Sequence, residues 1–104
     1  MKDLKVSAVQ FENRSGDKDY NLSVIESFAR KASEDGSDAV SFHECSVTGY
    51  TFAGRLSGEE LLAVAELIPE GDSTRRLMEI ARRNNIVILA GLFEKDLEDR
   101  IYKA

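Results

Sequence analysis

Glu44 is the side chain best placed for chemistry in this sequence. It closes the run Ala39-Val40-Ser41-Phe42-His43-Glu44, and a turn containing Gly49 and Tyr50 comes directly after it. A buried parallel strand that ends in a carboxylate delivers that group to the crevice at the carboxyl edge of an open α/β sheet. A carboxylate there can serve as a general base. The plainer alternative is a strand-end glutamate in water, and position alone favours that ordinary role.

The neighbouring candidates are weaker. Cys45 follows a base and so invites assignment as a nucleophile. In a strand, however, successive side chains point to opposite faces, which turns its thiol away from Glu44. A small buried thiol is the better assignment. His43 shares the parity of Cys45, but two ligands are too few for a metal, and His43 reads as a packing or hydrogen-bonding residue. Tyr50 could present its phenol to a pocket or close the turn with a half-buried ring. Glu94 ends an apolar run much as Glu44 does, although Lys95 and Asp96 beside it suggest a strand emerging into solvent. Arg75, Arg76, Arg82 and Arg83 could bind an anion, but Glu79 sits among them and a solvated, salt-bridged face is expected. Gly54 and Gly58 lack the strand–turn–helix setting of a phosphate loop. No cofactor and no metal are expected.

The elements that must position Glu44 are readable in order. Residues 4–11 form a first strand, with Ala8 and Val9 both apolar, so partial burial of both faces is expected. Residues 12–17 are a loop. From about 17 to 35, Leu22, Ile25, Phe28 or Ala29, and Ala32 recur at helical steps, with Asp17 or Asp19 as cap and Gly36 as terminator. Residues 39–44 follow as a second strand, completing a βαβ unit with neighbouring parallel strands. After a loop over 45–56, Ser57 and Glu60 make a capping box for a helix carrying Leu61, Leu62, Val64, Ala65 and Ile68, which Pro69 should stop. A third helix starts near Asp72 or Ser73 and turns at Asn84-Asn85. Residues 86–93 are apolar on both faces and predict one central strand. A polar turn over 97–100 leads to a last strand at 101–104. The expected order is β-α-β-α-α-β-β.

The totals set the frame. The 104 residues make one domain at most, or a piece of one. A net charge of −5, from 14 basic and 19 acidic residues, argues against nucleic acid and against anionic membrane surfaces. No apolar run approaches the ~20 residues of a membrane span, and no signal peptide is recognisable at Met1. A single cysteine fits a reducing compartment, so a cytoplasmic location is expected.

The run from Phe42 to Tyr50 resembles the glutamate motif of the nitrilase superfamily, the carbon–nitrogen hydrolases. There a strand ending in Phe-Pro-Glu is followed five and six residues later by Gly-Tyr, as Gly49 and Tyr50 follow Glu44. Three more stretches agree in order. They are the strand ending in Val9-Gln10-Phe11, the helix entered through Gly16-Asp17 to Asn21-Leu22, and residues 86–94 with Ala90-Gly91. His43 departs from the pattern, since many members have proline there.

The resemblance implies the N-terminal portion of an αββα sandwich, incomplete as it stands, in enzymes that associate as homo-oligomers through helix faces. It implies a Glu–Lys–Cys triad acting on small amides, nitriles or carbamoyl compounds, with Glu44 as general base and Tyr50 supporting or lining the pocket. The lysine and the nucleophilic cysteine come later in family members than residue 104. Lys95, Lys103 and Cys45 stand in the wrong context to replace them. The expectation is therefore an N-terminal fragment, residues 1–104, inactive alone and with one apolar sheet face uncovered or covered by another copy. The rival expectations are a non-enzymatic α/β module that self-associates or binds a partner, and, more weakly, a small flavodoxin-like domain.

Overall fold

Three short parallel strands carry the candidate residue, and two helices cover one face of them. The computed structural model describes residues 3–49 and 55–104. Within these, the elements run β1 (Val6–Val9), α1 (Lys18–Glu34), β2 (Ala39–Phe42), α2 (Gly58–Val64), α3 (Asp72–Asn84), β3 (Val87–Leu89), β4 (Phe93–Lys95) and β5 (Ile101–Lys103). Strands β1, β2 and β3 form one parallel sheet with β2 in the middle, and β4 with β5 forms a separate antiparallel hairpin.

Helix α1 begins and ends as its sequence predicts. The Asp17 carboxylate accepts from the Tyr20 amide at 3.0 Å. At the other end Gly36 takes a φ of +80°, and Ser37 and Gly36 donate back to the carbonyls of Ala32 and Ser33. That arrangement needs a left-handed residue, which is why a glycine stands there. The buried stripe Leu22, Ile25, Ala29 and Ala32 packs with Val40 and Phe42 of β2 and Ile80 of α3 in the main core.

Register explains which sheet face is covered. Val6, Ala39 and Val87 stand side by side, as do Ala8, Ser41 and Leu89. Val40, Phe42 and Ile88 point the other way, into the helices. Among the described residues the first face carries no helix, and Val6, Val87 and Leu89 are 55%, 60% and 55% exposed. The uncovered apolar face is thus present, but the expected partial burial of both faces of the first strand is not. Val9 and Phe11 pack against the core while Val6 stays in solvent.

The run over 86–93 and the helix before Pro69 end earlier than expected. The run over 86–93 is not one central strand. It breaks after Leu89, and only β2 has neighbours on both sides among the described residues. The order is therefore β-α-β-α-α-β-β-β. The cause is competition from other partners: Gly91 N–H donates to Ser46 Oγ, Leu92 exchanges backbone bonds with Ala104, and Phe93 starts the hairpin. Each of these residues leaves the β2–β3 ladder for another partner. The capping box at Ser57 and Glu60 forms as predicted. Helix α2 nevertheless ends before Ala65, well short of Pro69, because Glu66 pairs its backbone with Phe93 and Lys95 of β4. A residue in a β-bridge cannot also continue a helix. The Ile68–Pro69 peptide is cis.

Candidate active site

Strand β2 stops at Phe42, and His43 and Glu44 lead into a turn. Glu44 is therefore not a strand residue, although it does leave the carboxyl end of the middle parallel strand, where a reactive group is expected. Its side chain is 60% exposed, and Oε1 lies 3.0 Å from Lys103 Nζ on β5.

The turn behind Glu44 is held from four directions. Asn13, in the loop after β1, donates through Nδ2 to the Ser46 carbonyl, and its Oδ1 lies 2.5 Å from His43 Nε2. Because Asn13 Oδ1 can only accept, Nε2 carries the histidine proton. The His43 ring also meets Phe11 edge-on at 4.9 Å between centroids. Burial pushes the His43 pKa below the ordinary range, and Nδ1 is buried without a partner among the described residues. A charged imidazole would need an acceptor there. His43 is thus a neutral, packed, hydrogen-bonded residue, as its sequence context suggests.

Asn21 supplies the second hold. It is fully buried in α1, accepts from Arg14 N–H at 2.9 Å, and donates to the carbonyls of Arg14 and Val47 at 2.9 and 2.8 Å. One side chain thereby ties the loop before α1 to the turn after Glu44, with both amide protons and the carbonyl oxygen engaged. Gly16 N–H adds a bond to the Thr48 carbonyl at 3.1 Å. The fourth hold is Gly91, whose carbonyl accepts from Val47 N–H at 3.1 Å and whose N–H meets Ser46 Oγ at 3.2 Å.

Cys45 is 1% exposed and takes a φ of +53° inside the turn. The alternation argument for excluding it does not apply, since it is outside the strand, but burial leads to the same assignment. Burial pushes its thiol pKa up, the adjacent Glu44 carboxylate pushes it further, and the Lys103 ammonium pulls it back in part. A buried, protonated thiol is a poor nucleophile. Glu94 lies on β4, paired with Tyr102 across the hairpin. The α3 arginines are engaged as salt bridges: Arg82 and Arg83 with Glu79, Arg76 with Asp19, and Arg75 with Asp72. Tyr50 lies outside the described residues. A cleft of about 640 Å³ beside Lys18, Glu66 and Arg76 is not lined by Glu44.

Sequence reasoning gave Asn13 and Ser46 no role, weighed Lys103 only as a replacement for the family lysine and set it aside, and met Asn21 and Gly91 only within the stretches of family likeness. A signal was available for the asparagines: uncharged amides beside a strand end are suited to binding stray backbone groups. None was available for Lys103, whose approach to Glu44 spans 59 residues of separation, from position 44 to 103.

A three-stranded parallel sheet with helices on one face and an exposed carboxylate just past the carboxyl end of its middle strand defines the class: an open-sheet α/β fold. Comparison with known proteins narrows this. Residues 5–104 match the carbon-nitrogen hydrolase family, and the chain belongs to it. It is 39% identical to a nitrilase of Pyrococcus abyssi over 89% of its own length and 34% of the relative's. It is 31% identical to an aliphatic nitrilase of Rhodococcus rhodochrous over 89% of itself and 26% of that protein. Among solved structures, the NitN amidase of Nesterenkonia sp. AN1 superposes with a TM-score of 0.66 at 26% identity, covering 88% of this chain and 33% of the amidase. A further structure of that amidase carries the acetamide moiety of fluoroacetamide on its active-site cysteine. The chain thus spans about a third of the length of these proteins, as the N-terminal portion of a nitrilase-superfamily fold.

Proposed function

We propose that this chain is the N-terminal catalytic-base segment of an enzyme that hydrolyses non-peptide carbon–nitrogen bonds in small amides, nitriles or carbamoyl compounds. Glu44 is its general base, and Tyr50 lines the pocket. The observation that carries this is the exposed Glu44 carboxylate at the carboxyl end of β2, on a turn braced by Asn13, Asn21, Ser46 and Gly91. The names of the relatives support it, as does the cysteine adduct in the amidase.

The chemistry assigns each atom. Glu44 takes the proton of a cysteine thiol outside these residues, and the sulfur attacks the amide carbon. The tetrahedral oxyanion is stabilised by a lysine that also lies outside them. Ammonia or an amine leaves with the proton that Glu44 took, leaving a thioester; water then attacks the thioester, the carboxylic acid product is released, and the thiol and the Glu44 carboxylate are restored. Without nucleophile and lysine, the chain alone is inactive.

Ammonia release from acetamide, propionamide and simple nitriles tests this. The 104-residue chain should release none. The full-length enzyme should turn over at least one of these substrate classes, and Glu44→Gln should lower its kcat by about 10²–10⁴-fold. Steady turnover by the chain alone, or full activity in the Glu44→Gln enzyme, would overturn the assignment.

A further inference from the structure

Lys103 and Glu44 lie on different elements, yet both backbones are anchored to the same short segment. The Glu44 turn is fixed to Gly91 by the Val47–Gly91 and Gly91–Ser46 bonds at 3.1 and 3.2 Å. The end of β5 is fixed to Leu92 by bonds in both directions with Ala104, at 3.0 and 2.9 Å. A Cβ on Gly91 would meet both the Cys45 amide and the Ala104 carbonyl, so turn and strand flank one α-carbon. The 3.0 Å contact between Lys103 Nζ and Glu44 Oε1 therefore joins two side chains whose bases are held at a set separation.

Such a pair does little for folding. The two side chains are 50% and 60% exposed, and water screens charges so placed. Its effect is on direction. A free glutamate on a turn samples several rotamers, and only some of them aim an oxygen at a given thiol.

We propose that Lys103 is a positioning residue for Glu44: its ammonium holds one carboxylate oxygen so that the other is presented to the thiol whose proton it takes. Lys103 is distinct from the lysine that stabilises the oxyanion, and this role rests on the assignment of Glu44 as general base. The contact engages Oε1 in an ion pair at 3.0 Å, which favours the glutamate rotamers that keep that oxygen beside the ammonium.

The test uses the full-length enzyme. Lys103→Met should lower kcat by about tenfold while KM stays within about twofold and the melting temperature is unchanged. Lys103→Arg, which keeps the charge and a donor, should recover most of the loss. A kcat within about twofold of wild type in Lys103→Met, or no advantage of Arg over Met, overturns the proposal. Acetylation kinetics followed by mass spectrometry supply a readout independent of turnover. Lys103 should react several-fold faster in Glu44→Gln, and an unchanged rate overturns the proposal. If Glu44→Gln is dead while Lys103→Met is normal, only the positioning role falls. If Glu44→Gln is fully active, both fall.

Discussion

Gly91 approaches Cys45 so closely that a Cβ built on it would fall 2.6 Å from the Cys45 amide nitrogen. Real Cβ contacts do not reach that distance, and the atom in the way is backbone rather than a flexible side-chain tip. Gly91→Ala should therefore cost about 2–3 kcal/mol by forcing two backbone segments apart. In urea denaturation this appears as a lower midpoint at an unchanged m-value. Gly58→Ala is the control. Nothing lies within 4 Å of that position, at the start of α2, and the change should be neutral or stabilising by up to about 1 kcal/mol. Equal losses at both sites would contradict the packing account.

Asn21 holds three backbone groups with one buried amide. Asn21→Ala should cost about 2–4 kcal/mol, since three partners lose their bonds inside the core. Asn21→Asp should be no milder despite its matching shape, because a carboxylate would face the carbonyls of Arg14 and Val47. Thermal melts of the three proteins check this ordering. An Asp variant as stable as wild type would show that the amide donors carry no weight.

Stability should fall in two steps on acidification. Burial lowers the His43 pKa, so the folded state binds fewer protons than the unfolded chain. The His43 contribution is complete above the unfolded value of about 6.5 and is lost as pH falls from there toward the folded value. Glu66 loses solvation on burial, which pushes its pKa up. Bonds from Lys18 Nζ at 2.7 Å, from the Ser73 hydroxyl and from the Ser73 amide more than reverse this, leaving it below the ordinary range. Its contribution is present above about pH 4.5 and is lost as pH falls through the depressed folded value. Urea titrations from pH 8 to 3 should therefore slope twice. His43→Gln should remove the first slope, and Glu66→Gln should reduce the second, to which Glu60, Glu79 and Asp96, also held below the ordinary range by their hydrogen bonds, contribute as well. A single slope that survives both substitutions would exclude these two groups as its source.

Val87 and Leu89 stand on the uncovered sheet face, whereas Val40 is buried on the other. In this chain, Val87→Thr and Leu89→Thr should each change stability by less than about 0.5 kcal/mol, and both should reduce binding of a hydrophobic dye. Val40→Ala should cost about 2–3 kcal/mol. Large losses at Val87 and Leu89 would mean that something covers that face in solution.

Elements with local signals were legible from the sequence. Asp17 and Gly36 bracket α1, Ser57 and Glu60 start α2, and Asn85 ends α3 in the left-handed region with a φ of +48°. Each of these rests on interactions within a few residues. The ends of α2 and β3 were not legible, because Glu66 and Gly91 leave their elements for partners about thirty and forty-five positions away. Hydrophobic pattern continues past both points, so only the competing partner reveals the break.

The same division separates what each level of description determined. Pattern, caps and the placement of Glu44 after an apolar run determined the fold class, the candidate base and the family likeness. Tertiary structure decided what surrounds that base. Cys45, already set aside from the sequence, is excluded by burial in the turn rather than by strand alternation. His43 is held neutral by burial, and Lys103 was brought to Oε1. The physical reason is range. Helix caps and periodicity act over one or two turns of chain, whereas the direction of a carboxylate depends on side chains that meet it only after the sheet and hairpin have closed on Gly91.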